Sequence, residues 1–101
     1  MGKRLDLHDI LKSIPGVREV YFQPPEDISL KYPCIVYSRS DVDTRFADNA
    51  PYSMKKRYSV TVIDPDPDSE IPDHIARLPM SIFARHFRVD KLNHDNYSLY
   101  F

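Results

Sequence analysis

The sequence predicts an α+β fold: a mainly antiparallel sheet of four or five strands with two short helices on one face, in the order α-β-β-β-α-β-β. Three observations predict it. Two stretches place apolar residues at helical spacing, and several others alternate as half-buried strands do. The chain is also punctuated by nine prolines, while its twelve aspartates against three glutamates favour loops and caps over long exposed helices. The 101 residues suffice for one core, so residues 1–101 are read as a single domain.

The first helix is read from Leu7, Ile10, Leu11 and Ile14, at offsets of three, four and seven. Asp6 is placed as its N-cap, Asp9 three residues on fits a capping-box acid, and Pro15-Gly16 stops it. Val17 to Phe22 is rich in strand formers and ends at Pro24-Pro25, and Glu26 to Lys31 reads as a connection. Cys34 to Arg39 forms the next strand. The polar stretch Asp41 to Pro51 is too long and irregular for a tight hairpin. Its aromatic residue, Phe46, has two open readings: tucking onto its own domain or docking on a partner.

The clearest strand is Tyr58 to Ile63, with Tyr58, Val60 and Val62 on one face and Ser59, Thr61 and Ile63 on the other. The alternation continues back to Tyr52, so a strand of that length would protrude. A stiff acidic turn, Asp64-Pro65-Asp66-Pro67-Asp68-Ser69, follows it. Asp68 or Ser69 caps a second helix of about ten residues, buried through Ile71, Ile75 and Leu78 and ended by Pro79. Ser81 to Val89 alternates with Phe83, Phe87 and Val89 on one side and Ile82, Ala84 and His86 on the other. Asp90 to Asp95 makes a turn, and the last strand places Tyr97, Leu99 and Phe101 on one face.

Several function classes are disfavoured by counting. No run of 18 apolar residues exists, and the first residues lack the apolar stretch of a signal peptide. A net charge of -1 argues against a dedicated nucleic-acid binder. Two glycines, Gly2 and Gly16, cannot build a phosphate-cradling loop. The single cysteine, Cys34, sits in an apolar run and reads as a buried thiol.

Asp64, Asp66 and Asp68 match the first, third and fifth positions of a calcium loop. The match fails where Ser69 replaces the turn glycine and Ile75 the closing glutamate, leaving turn and cap duty. His8, His74, His86 and His94 show no zinc spacing, and His94-Asp95 reads as a hairpin brace. No serine has a nucleophile elbow around it. No catalytic, cofactor or metal residue is expected. The basic cluster Lys55-Lys56-Arg57 divides in a strand, Lys55 and Arg57 pointing one way and Lys56 the other. The stretch Asp64 to Asp73 holds five acids and no base, its natural complement between copies.

Four stretches together resemble the head–tail joining and tail-completion proteins of long-tailed bacteriophages, a family that includes tail terminators and minor capsid proteins. They are Tyr32-Pro33-Cys34-Ile35-Val36-Tyr37, the run from Tyr58 to Ser69, Ile71 to Pro79, and Leu92 to Phe101. The resemblance implies an α+β subunit without catalytic residues or cofactor, whose copies close into a ring, commonly of six. That ring caps the tail tube in the virion, after assembly in the host cytoplasm, and DNA passes through it without sequence-specific binding. The implied partners are the chain itself, the major tail protein and the head-completion or connector proteins, with no membrane. The extended hairpin between Asp41 and Tyr58 matches the arm such proteins use for contacts.

On this reading the interface residues are Arg45, Phe46, Tyr52 and Met54, with charge from Lys55 and Arg57 and from Asp64, Asp66 and Asp68. Tail terminator is preferred over head-completion protein. The rivals are a non-viral α+β adaptor that binds a protein through its sheet edge, and a small hydrolase using scattered carboxylates.

Overall fold

The computed structural model describes residues 4–47 and 50–101, and their side chains except those of residues 41–55. The chain is α+β, with a five-stranded mixed sheet and two helices in the order read from the sequence. The elements are α1 (Arg4–Lys12), β1 (Glu19–Phe22), β2 (Cys34–Ala47), β3 (Ala50–Asp64), α2 (Ile71–Ala76), β4 (Ser81–Val89) and β5 (Leu92–Tyr100). The strands lie in the order β1-β2-β3-β5-β4.

One core joins both helices to one sheet face. Leu7 and Leu11 of α1 and Ile71 and Ile75 of α2 cluster with Val20, Ile35, Tyr37, Tyr58, Val60, Val62, Tyr97 and Leu99. Removing each such aliphatic side chain from water stabilises the fold by about 1.5–3 kcal/mol. The core face of β3 is the one read from its alternation. In α1 the stripe is narrower than expected, because Ile10 is 37% exposed while Leu7 and Leu11 are fully buried.

Several boundaries differ from the sequence reading, each for a local reason. Asp6 lies inside the first turn of α1, where its charge still favours the helix dipole. After α1 the chain turns through Gly16 at φ +92°, a conformation that costs glycine little. The sheet is mixed because β1 pairs parallel with β2, Glu19 opposite Cys34 and Phe22 opposite Tyr37. Parallel pairing requires the chain to return to the same end of the sheet, and residues 23–33 do so without a helix. Lys31 N–H holds that segment to the Tyr21 hydroxyl at 3.2 Å, and Arg18 N–H holds it to the Pro33 carbonyl at 2.8 Å.

Helix α2 has six residues rather than about ten. Its N-cap position is Glu70, which makes no side-chain cap bond, and Ser69 Oγ accepts the Ile71 N–H at 3.3 Å instead. The β4–β5 turn is tighter than expected. Asp90 and Lys91 both take positive φ, 53° and 64°, and Val89 pairs directly with Leu92. That is the two-residue turn whose twist suits a hairpin, so β5 starts five residues before Tyr97.

A bulge at Ala84 overturns the expected faces of β4. Phe83 pairs with Tyr97 on the helix side, but Arg85 pairs with Asn96 and Phe87 with His94 on the opposite face. One extra residue moves every later side chain to the other face. Phe83 therefore meets the Tyr97 ring edge-on at 5.4 Å, while Phe87 stacks on His94 at 4.6 Å.

Candidate functional site

The described residues of the polar stretch after Arg39 are strand. β2 and β3 pair from Cys34–Ile63 out to Ala47–Ala50, with irregularities after Arg39 and Arg45. β5 pairs with β3 only from Arg57 to Asp64. Residues 41–47 and 50–56 therefore form a two-stranded ribbon beyond the body, roughly 23 Å long at strand rise. The ribbon explains a radius of gyration of 14.5 Å, against about 13 Å for a compact chain of this length. A two-stranded ribbon gains little stability from its own pairing alone.

The side chains of Arg45, Phe46, Tyr52, Met54 and Lys55 lie outside the described residues. The backbone register places their positions on the ribbon. Thr44 pairs with Met54, Phe46 with Pro51, Asp43 with Lys55, and Asp41 with Arg57. Two of the three basic positions thus face an aspartate position across the ribbon, whereas Lys56 faces Val42. Arg57 braces the ribbon's base: its Nε donates to Ser40 Oγ at 3.2 Å, and Ser40 Oγ donates to the Arg57 carbonyl at 3.1 Å.

At the other end of the strands lies the acidic turn. Asp64 is 8% exposed, and its Oδ1 accepts the Asp66 N–H at 2.8 Å. Asp66 Oδ1 accepts the Asp68 N–H at 2.9 Å. Two carboxylates are thus used to shape the turn, as the failed calcium-loop match anticipates, and Asn93 Nδ2 ties the turn to β5 by donating to the Asp64 carbonyl at 3.3 Å. Asp68 is exposed beside an open cleft of about 550 Å³ that Asp66 and Glu70 also line. Among the described residues, no group of three or more His, Cys, Asp or Glu is placed to hold a metal ion.

Nucleophilic chemistry gains nothing from the remaining candidates. Cys34 is fully buried, and burial first, then the Asp64 carboxylate, pushes its thiol up to about 11. A thiol held protonated in that way is a packing group. His94 Nδ1 lies 3.2 Å from the Leu92 carbonyl, within the β4–β5 hairpin. His8 shares a 2.8 Å hydrogen bond with the Tyr37 hydroxyl, which also accepts from Arg4 Nη1 at 3.4 Å. Burial pushes the pKa of Tyr37 upward, which keeps its hydroxyl protonated.

A second outward feature escapes a reading by composition. β4 is an edge strand exposed along most of its length, with Ile82 60%, Phe83 54% and Val89 49% exposed. Apolar residues on a free edge favour contact with another chain. No protein-family model matches this chain, and no curated protein does.

Proposed function

We propose that this chain is a structural virion protein of the tail-terminator kind, whose copies close into a ring at the head–tail junction. It acts by docking, not by turnover. Its two helices on one sheet face and its ribbon fit the subunit that the resemblance implies. The observation that carries the reading is the separation of the chain's charged ends. The acidic turn begins at Asp64, and the ribbon's base lies at Lys56–Arg57, roughly 23 Å away along β3. Patches so far apart cannot close on each other within one copy. They suit a head-to-tail contact between copies, the kind that generates a ring when the rotation closes.

The ribbon is the arm of this assembly. It contributes Arg45, Phe46, Tyr52, Met54 and Lys55 to the contacts, and the major tail protein and the connector proteins meet the ring's two faces. Head completion is the neighbouring role in the same joint. A non-viral adaptor draws its support from the exposed apolar edge of β4.

Replacing residues 43–55 with Asn-Gly tests the arm directly, since Val42 and Lys56 are already a cross-strand pair. The shortened chain is expected to keep its circular dichroism and cooperative melting. Virus particles made with it are expected to accumulate unjoined heads and tails in electron micrographs. Joined particles at normal yield would refute the arm.

A further inference from the structure

We infer that a cleft at the root of the ribbon is an oxyanion-binding site, built by Arg4, Arg39 and Lys56. Arg4 opens α1, Arg39 sits beside the first β2 irregularity, and Lys56 lies where β3 leaves the body. Three elements distant in sequence thus bring their cations to one cleft of about 270 Å³, with Phe22, Gln23 and Tyr58 completing the wall. That volume falls below the roughly 300–1,000 Å³ of drug-sized pockets and suits a single phosphate or carboxylate group.

Among the described residues, no acid lines the cleft. Like charges gathered on one side of a protein repel unless an anion bridges them, and such a cleft concentrates anions from solution. Arg4 is oriented before any ligand arrives. Its guanidinium stacks over the Phe22 ring at 4.3 Å, and its Nη1 donates to the Tyr37 hydroxyl. Gln23 is set by its backbone, at φ 45° with its N–H on the Tyr37 carbonyl at 2.9 Å. Its Oε1 accepts the Arg39 N–H at 3.3 Å, which leaves the amide nitrogen as a donor. Two arginine forks, a lysine point charge and an amide donor are the groups that recognise a phosphate or carboxylate.

The oxyanion has two sources: a diffusible phosphate, or a carboxylate from the acidic turn of a second copy. The site itself does not depend on the ring reading. Inorganic phosphate, titrated at constant ionic strength and followed by amide chemical shifts, is expected to bind saturably and to move Gln23, Arg39 and Lys56. In Arg39→Gln with Lys56→Gln, both exposed positions, affinity is expected to fall about tenfold or more. Arg88→Gln with Lys91→Gln, elsewhere on the exposed surface, is expected to leave it unchanged.

No saturable shift, or equal affinity in both double variants, would overturn the site. Sedimentation of the wild-type chain with and without phosphate separates the two sources. Dissociation of oligomers by phosphate assigns the neighbour's carboxylate, and an unchanged profile assigns the diffusible ion.

Discussion

The two faces of the sheet are made by the same strands and serve opposite ends. On the helix-covered face, Ile35, Tyr37, Tyr58, Val60, Val62 and Leu99 are at most 2% exposed. On the other face the same strands carry Ser38, Ser59, Thr61, Asn96 and Ser98, all half-buried. Asn96 Nδ2 donates to Ser59 Oγ and to Thr61 Oγ1, each at 2.9 Å. The helix-covered face carries the core cluster, while the middle of the other face is polar, with Cys34 and Ile63 buried at one end of it. Function is therefore to be sought away from that core: along the ribbon, the charged ends and the free edge.

The contrast can be broken by substitution. Ile75→Ala removes a fully buried side chain between α2 and the sheet, and chemical denaturation is expected to show a loss of about 2–5 kcal/mol. A loss below about 1 kcal/mol would mean that α2 is not an essential cover. Asn96→Ala, on the polar face, removes two good hydrogen bonds and is expected to cost only about 1 kcal/mol by the same measurement. A cost matching Ile75→Ala would erase the distinction between the faces.

Periodicity made the helix-covered face legible. The alternation of Tyr58, Val60 and Val62, and the spacing of Ile71 and Ile75, identified their core positions because each pattern is local and the burial is one-sided. What stayed hidden depends on pairing across distance. Nothing between Phe22 and Cys34 announces parallel strands, since that choice is made by where the returning segment docks. The bulge at Ala84 carries no glycine to mark it, so the faces of β4 were read in reverse beyond it.

The charged sites show the same limit. Lys55-Lys56-Arg57 was visible as a cluster. Which of the three meets other cations was not readable, because Arg4 and Arg39 reach Lys56 only through the fold. The carboxylates of Asp64 and Asp66 were legible as turn formers, and the backbone N–H groups they accept explain why. The two-residue turn at Asp90-Lys91 was missed because a lysine at positive φ is uncommon there.

The central claim, that the working contact joins opposite ends of neighbouring copies, is tested most directly by reversing charge at both ends. Lys56 and Asp68 are exposed, and neither side chain takes part in shaping the core. Lys56→Glu alone and Asp68→Lys alone are each expected to leave a folded chain that fails to join heads to tails. Combining them in one chain is expected to restore joined particles, counted by electron microscopy, because each copy again meets a neighbour of opposite charge. Normal joining by both single variants would contradict the account.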